Sequence, residues 1–445
     1  MNSPRLPRSL LALAVAVALT LPWVGVWTLG VDLGLLGTVV VSGVAILGTS
    51  FLLAWAAETA EKDVPRSFAI AVLAVLAVAP EYAVDALYAW TAGAAFGTPR
   101  GIEAGNLAIA NMTGANRILI GIGWAGIAFF TVWQARHTRD PSVESREGVL
   151  ADLVHLDRGI STEIAFLFLA TAWAFLVPLN GGIDVIDLVV LVGLYVTYIL
   201  IVIRAELEAE THHVGVPAHL QSYPRHLRIP IVIGLFGYSG FLILSAVEPF
   251  AHGLEAIGLA IGVPSFFMIQ WVAPLASESP ELIVVAVLVT KARSTAGFNT
   301  LISSKLNQWT LLVGTLVVVY SIALGRYGVL PFDWEQAGEI WLTAAQSYFA
   351  LAILIDFKIS LREALALFVL FITQVLIEFV FLRIWAPPLP DPKFDLLMAY
   401  TAVYVVLGTA LFVRRRRHLR LVLALAGYAA RRAAGREATK PTLAD

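Results

Sequence analysis

The chain has 445 residues, 59% of them hydrophobic and 14% charged, with a formal net charge of −2 and no cysteine. Soluble domains carry about 25% charged residues, so the composition excludes an ordinary soluble globular protein. The missing thiols exclude disulfides and thiolate metal sites.

Apolar runs of about 20 residues recur along the whole length, each long enough to cross about 30 Å of hydrocarbon. The first, at residues 9–28, follows Arg5 and Arg8. No clear small-x-small cleavage site follows it and another span begins at once, so it reads as an uncleaved first helix. The next runs lie at 31–56, 66–92 and 105–135, then 161–178 and 183–204. After a polar stretch come 229–251, 264–291, 299–324, 336–356, 361–384 and 396–413. The expectation is an all-α polytopic membrane protein of about 12 transmembrane helices.

Loop charge orients the spans. One side collects Arg5, Arg8, Lys62, Arg66, Arg136, Arg139, Arg146, Arg158, Arg204, Arg225, Arg228, Lys291, Arg293, Lys358, Arg362 and the run from Arg414 to Arg417. The other side holds little beyond Arg100, Arg326 and Lys393. Basic residues mark the cytoplasmic side, so both termini are expected inside, with the chain in the plasma (inner) membrane. The organisation read from this is an N-terminal half, 1–204, a cytoplasmic linker, 205–228, a C-terminal half, 229–413, and a basic tail, 414–445. The linker places Glu206, Glu208 and Glu210 near His212, His213, His219 and His226. Those groups could bind a regulatory metal, although a solvated loop is the simpler reading. The tail can form a basic amphipathic helix on an anionic inner surface, or serve as a plain positive-inside anchor.

Within this pattern "SESPELIVVAVL" stands out, because Ser277, Glu278, Ser279, Pro280 and Glu281 interrupt an apolar run. Two hundred residues earlier, "AVAPEYAVDALY" carries Pro80 and Glu81 in the same arrangement. Downstream, "NRILIGIG" (Asn116 to Gly123) parallels "NQWTLLVG" (Asn307 to Gly314), with asparagine and glycine seven apart in both. The repeats cover about 66–135 and about 264–324, and the span order runs them in opposite directions. Inverted repeats whose interrupted helices meet near the midplane are a design of secondary transporters.

At these residues the sequence resembles the two α-repeats of the calcium/cation antiporter superfamily, which includes sodium/calcium and calcium/proton exchangers. The family's first-helix motif, Gly-Thr-Ser-x-Pro-Glu, is approached by Ala276-Ser277-Glu278-Ser279-Pro280-Glu281; in the first copy only Pro80-Glu81 remains. Its second-helix pattern, Gly-Ser-Asn-x-x-Asn, survives as Ser303, Ser304 and Asn307, and as Asn111, Gly114 and Asn116. The resemblance covers about 250 residues. It implies a ten-helix antiporter core, here with one added helix at each end.

The chemistry of the residues agrees. Intramembrane carboxylates are costly and usually face a cavity, a partner or an ion. Glu81 and Asp85 are four apart on one helix face, as are Ser277 and Glu281, and Glu278 and Glu281 are three apart. Each proline frees the carbonyl four residues back, at Leu76 and Ala276. Calcium takes six to eight oxygens. Glu81, Glu281, Asn116, Asn307, Ser277, Ser303 and the carbonyls near Ala77 and Ala276 can supply them, with Glu278, Asp85 and Asn111 as further candidates.

The expected function is secondary antiport of Ca²⁺ against Na⁺ or H⁺, with a monovalent Na⁺/H⁺ or K⁺/H⁺ exchanger as the alternative. An intramembrane hydrolase would need a metal or serine–base site, and no H-E-x-x-H is present. A receptor or scaffold would leave the inverted copies without a reason, and no nucleotide-binding cassette appears, so an ion gradient must drive transport. No enzyme activity or cofactor is called for. The partners expected are inorganic cations and lipid, not nucleic acid.

Three features fall outside the repeat motifs. Gly121, Gly123 and Gly126 fit a G-x-G-x-x-G template mid-span, where close helix packing is the natural reading. Lys305, two residues before Asn307, falls on the opposite helix face; if it reached the site it would replace one bound cation. Glu378 is a lone mid-span acid, suited to pairing with a neighbouring helix or to a proton path.

Overall fold

A computed structural model describes residues 8–63, 79–138, 140–204, 215–385 and 387–436, with 439 and 441. The helices are α1 (Arg8–Leu29), α2 (Gly34–Ala60), α3 (Ala79–Ala94), α4 (Pro99–Ile118), α5 (Ala125–Thr138), α6 (Ser161–Ala174), α7 (Val185–Arg204) and α8 (Val216–Gln221). They continue as α9 (Arg225–Ile261), α10 (Ser265–Thr290), α11 (Ser294–Asn307), α12 (Val313–Leu324), α13 (Trp334–Leu354), α14 (Leu361–Arg383), α15 (Pro392–Arg414) and α16 (Arg416–Ala433). Five strands of two or three residues edge the loops: β1 (Val143–Glu144), β2 (Leu153–His155), β3 (Gly182–Ile183), β4 (Leu330–Pro331) and β5 (Lys358–Ser360).

Among the described residues nine helices are long and apolar enough to cross a membrane. Counted as one span, the bent pair Ser265–Ser279 and Glu281–Thr290 brings the number to ten. The expected count of twelve is therefore not reached on length and apolarity. Two segments account for the gap. The expected span 66–92 begins at residues outside those described. The helix α13 carries Gln336, Glu339, Thr343, Gln346 and Ser347, all buried, and is too polar to read as a lipid-facing span.

Local sequence sets the helix starts. Pro99 and Pro392 occupy first-turn positions where no amide hydrogen is needed, after caps by Thr98 and Asp391. Asp333 caps α13 through the Gln336 amide. Ser360 and Glu363 form a reciprocal capping box at α14.

The chain divides into two compact units, each drawn from both sequence halves. Met1–Leu87 with Glu208–Pro280 form the first, and Tyr88–Leu207 with Glu281–Asp445 the second. Two of the three divisions fall inside α3 and α10, the two Pro-Glu helices.

In the first unit, α2 packs closely on α9 and α1 through glycines. A Cβ on Gly43 would lie 2.8 Å from the Phe250 ring, one on Gly253 2.3 Å from Val39, and one on Gly48 2.7 Å from the Ala16 carbonyl oxygen. Small residues permit this backbone approach, which drives association where lipid is as apolar as the helices. The predicted inner loops meet here: Lys62 donates to the Gln221 carbonyl at 2.7 Å, and Arg228 grips Asp63 through two bonds of 2.6 Å. The Arg228 hydrogen bond holds the Asp63 carboxyl below its usual range, against some desolvation.

In the second unit, loops predicted on one side meet only one another in the strand pairings. The sheet β1-β2-β5 joins the 140–160 loop to residues 358–360, whereas β3 pairs with β4 on the opposite side. The tail forms the helix α16. Leu421, Val422, Leu425 and Ala429 make its buried face, which packs on α6 and α7. Of the central linker, 205–214 lies outside the described residues, so Glu206, Glu208, Glu210, His212 and His213 are not placed. His219 bonds to the Tyr223 hydroxyl at 3.1 Å.

Candidate functional site

The first unit holds the two Pro-Glu segments up to the second proline. Glu81 is 2% exposed and Asp85 is fully buried, one turn apart in α3. In α10 Glu278 is buried and Ser277 half-buried. The Ser277 hydroxyl donates to the Pro274 carbonyl at 3.3 Å, and the Ser279 hydroxyl donates to the Leu275 carbonyl. A hydroxyl that donates to a helix carbonyl keeps its lone pairs, so Ser277 can still offer oxygen to a cation. The expected carbonyls at Leu76 and Ala77 lie outside the described residues.

The second unit holds Asn111, Asn116, Glu281, Ser303 and Asn307. Asn111, Asn116 and Asn307 are buried. Glu281 accepts a 2.8 Å hydrogen bond from Ser304. Its neighbour Ser303 is half-buried, and on α7 the Tyr198 hydroxyl donates to Glu163 at 3.1 Å. Each repeat asparagine is followed by a π-helical stretch: Leu119–Trp124 after Asn116, and Gln308–Leu312 directly after Asn307. Such insertions are rare and concentrate at functional sites. Both begin within three residues of the asparagine, so the two copies share this irregularity as well as their sequence pattern.

The glycine seven residues after each asparagine is a close-packing point. A Cβ on Gly123 would come within 3.2 Å of Leu282, and one on Gly314 within 3.0 Å of Val192. Gly121 is tighter still, at 2.3 Å from the Phe371 ring. The G-x-G-x-x-G match is thus a packing feature at its first two glycines, while Gly126 faces open space.

Lys305 sits where the helical-wheel reading did not put it. It is 0% exposed, and its Nζ donates to Asn116 twice, to Oδ1 at 2.7 Å and to the backbone carbonyl at 3.2 Å. The wheel placed Lys305 away from Asn307 on its own helix, but the oxygens it meets belong to α4. Beside it, Arg117 donates to Glu339 at 2.6 Å and to Gln374. Gln374 in turn donates to Glu378 at 2.9 Å, and Lys393 lies 3.7 Å from Glu378 and 3.0 Å from Glu335. Glu378 therefore does pair with a neighbouring helix, through Lys393 of α15. Lys393, expected in an outer loop, is buried in the first turn of α15. Glu339 was missed because it belongs to neither repeat motif, and its partner Arg117 lies on another helix.

Among the described residues no three of His, Cys, Asp or Glu are placed to hold a metal together. A cation here would need amide, hydroxyl and carbonyl oxygens beside its carboxylates, a donor set that suits hard cations.

Comparison with known proteins bears on this arrangement. The model of the sodium/calcium exchanger protein family matches residues 34–204 and 231–380, which include both Pro-Glu segments and both asparagines. The chain belongs to this exchanger family. Among solved structures, this exchanger-family chain is similar to "Crystal Structure of H+/Ca2+ Exchanger CAX" with 42% identity and a TM-score of 0.83, over 95% of this chain and 98% of that one. It shares the fold of "Structure of native YfkE" at 14% identity and TM-score 0.54, over 83% of this chain and 98% of that one. A sodium-calcium exchanger structure, NCX_Mj soaked with Na⁺ and Sr²⁺, aligns at 15% identity and TM-score 0.47 over 82% and 98% of the chains. No curated protein matches the chain.

Proposed function

We propose that the chain is a secondary antiporter that exchanges Ca²⁺ for H⁺ or Na⁺ across the plasma membrane, with both termini cytoplasmic. The observation that carries this reading is the 42% identity over 95% of the chain to a structure described as an H⁺/Ca²⁺ exchanger. The buried acids of the two Pro-Glu segments agree with it. Glu81 and Glu281 are the principal cation ligands in this reading, one from each inverted repeat. Asn116, Asn307, Ser277, Ser303, Glu278, Asp85 and Asn111 supply or support the remaining oxygens.

Coupling follows from the charge of the site. Carboxylates joined by neutral amide and hydroxyl oxygens match a divalent ion that takes six to eight oxygens. A proton that neutralises either glutamate removes the charge holding that ion. The site then carries one load at a time, which is the requirement for exchange.

The test is Ca²⁺ flux in everted vesicles or proteoliposomes, read with a pH dye and with Na⁺ and K⁺ gradients in turn. Glu81→Gln and Glu281→Gln are each expected to abolish exchange while the protein still reaches the membrane. Wild-type flux in either variant would move the site elsewhere, and flux of Na⁺ or K⁺ without Ca²⁺ would assign a monovalent exchanger.

A further inference from the structure

We propose that Lys305 is a resident cation of the exchange site, a tethered ammonium that takes the place a mobile Na⁺ would have at Asn116 and so makes exchange independent of Na⁺. The inference rests on the antiport reading and adds a specificity-determining residue to it.

The geometry is that of a coordinated monovalent cation. Two oxygens of one residue, the side-chain Oδ1 and the backbone carbonyl of Asn116, converge on the Lys305 Nζ at 2.7 and 3.2 Å. The amide orientation is fixed by chemistry. The Asn116 Nδ2 donates to the Met112 carbonyl at 2.8 Å, an acceptor that only the NH₂ group can serve, so Oδ1 is the atom turned to the ammonium. The Trp309 ring lies 4.6 Å from the same nitrogen and offers its face to a positive charge. The side chain is wholly buried, where an ammonium persists only beside groups that compensate its charge.

The position ties this ammonium to the cation path. Lys305 directly follows Ser304, which donates to Glu281, and Asn116 is the first repeat's counterpart of Asn307. Unit 2 alone therefore gathers Glu281, Ser304, Lys305 and Asn116. Lysine is a compact point charge that presents donors only, so it can replace a small cation at an oxygen pair but cannot leave with the load. One positive charge is then permanent at this point. A Na⁺ has no oxygen pair to enter at Asn116, and the ion that competes with Ca²⁺ must act at the carboxylates, as a proton does.

The experiment compares wild type, Lys305→Met and Lys305→Arg in proteoliposomes, with Ca²⁺ flux measured against a pH gradient with and without an opposing Na⁺ gradient. Wild type and Lys305→Arg are expected to ignore Na⁺. In Lys305→Met the flux becomes Na⁺-dependent by several-fold, because the Asn116 oxygens open to solvent cations. A wild type already driven by Na⁺, or a transporting Lys305→Met that stays indifferent to Na⁺, overturns the inference. A second readout covers loss of transport. Thermal unfolding in detergent is followed with NaCl against choline chloride, since an ion that binds only the folded protein raises Tm. Na⁺ is expected to stabilise Lys305→Met, or Lys305→Gln should the methionine variant fail to assemble, and not wild type. Absence of that Na⁺-specific shift also overturns it. Wild type that moves no Ca²⁺ at all defeats the antiport reading, while the Tm comparison still decides the role of Lys305.

Discussion

Arg117 and Glu339 show what buried charge does in this chain at the scale of single residues. Both side chains are almost wholly excluded from solvent and lie 2.6 Å apart, with Gln374 as a second acceptor for the guanidinium. A buried ion pair is only weakly stabilising against an apolar replacement, but removing one partner strands the other charge. Arg117→Met is therefore expected to lower stability by on the order of 3 kcal/mol. Adding Glu339→Gln should restore most of it, because the stranded carboxylate becomes a neutral amide. Thermal unfolding of the single and double variants in detergent checks this; a double variant no more stable than Arg117→Met would refute the pairing. The neighbouring residue, Asn116, offers its side-chain oxygen to the Lys305 ammonium at 2.7 Å. None of these partners could be read from spacing along one helix. The repeat pattern marked Asn116, but which residue of another helix meets it is a tertiary fact, and the isolated acids Glu339 and Glu378 had no motif around them.

At the scale of elements, the repeats were the legible part. The Pro-Glu pairs and the Asn-to-Gly spacing located α3 with α4 and α10 with α11, because a proline and a carboxylate inside an apolar run are conspicuous against their neighbours. The π-helical stretches after Asn116 and Asn307 were not legible, since one extra residue in a helical turn leaves no compositional trace. A second hidden link joins the loop after α5 to the start of α11. Asp140 accepts from the Ser142 amide and hydroxyl at 2.9 and 2.7 Å, and from the Ser294 hydroxyl at 2.6 Å. Burial works against ionisation of Asp140, but the bonds from Ser294 and Ser142 outweigh it and hold the carboxyl below its usual 3.8. A group with a depressed folded pKa stabilises fully above its unfolded value and loses that contribution as pH falls through the folded one. Asp140→Asn is thus expected to cost about 1.5 kcal/mol near neutral pH, the scale of hydrogen bonds to a charged acceptor. Its Tm deficit against wild type should stay level down to about pH 5 and shrink below 4 as wild type loses the carboxylate. A deficit that stays constant through the acid range would mean that the charge plays no part.

At the scale of the molecule, the distribution of basic residues predicts which loops share a side, and the loop contacts within each unit are compatible with that division. In the second unit β2 and β5, Asp140 and Ser294, and Arg415 with Asp356 and Glu363 join loops predicted inside. The β3–β4 pair joins loops predicted outside, and the 2.5 Å bond from Asn106 to Asp333 joins the outer end of the 105–135 span to such a loop. In the first unit Lys62, Asp63, Gln221 and Arg228 are all on predicted inner loops or at their edges. A span miscounted between the two partners of any such contact would put them on opposite sides of a bilayer about 30 Å thick. The segregation is legible because charge bias acts on each loop separately, whereas the pairing of two-residue strands depends on the folded chain. The orientation is open to a clean experiment, because the native sequence has no cysteine and every single-cysteine variant carries one thiol. Cysteines replacing the exposed Asn180 and Leu389 are expected to react with a membrane-impermeant maleimide in intact cells. Cysteines replacing the exposed Ser145 and Ser222 should react only after the membrane is opened or in everted vesicles. Labelling of Ser145→Cys and Asn180→Cys from the same face would break the two-sided topology, and a full reversal of the pattern would place both termini outside.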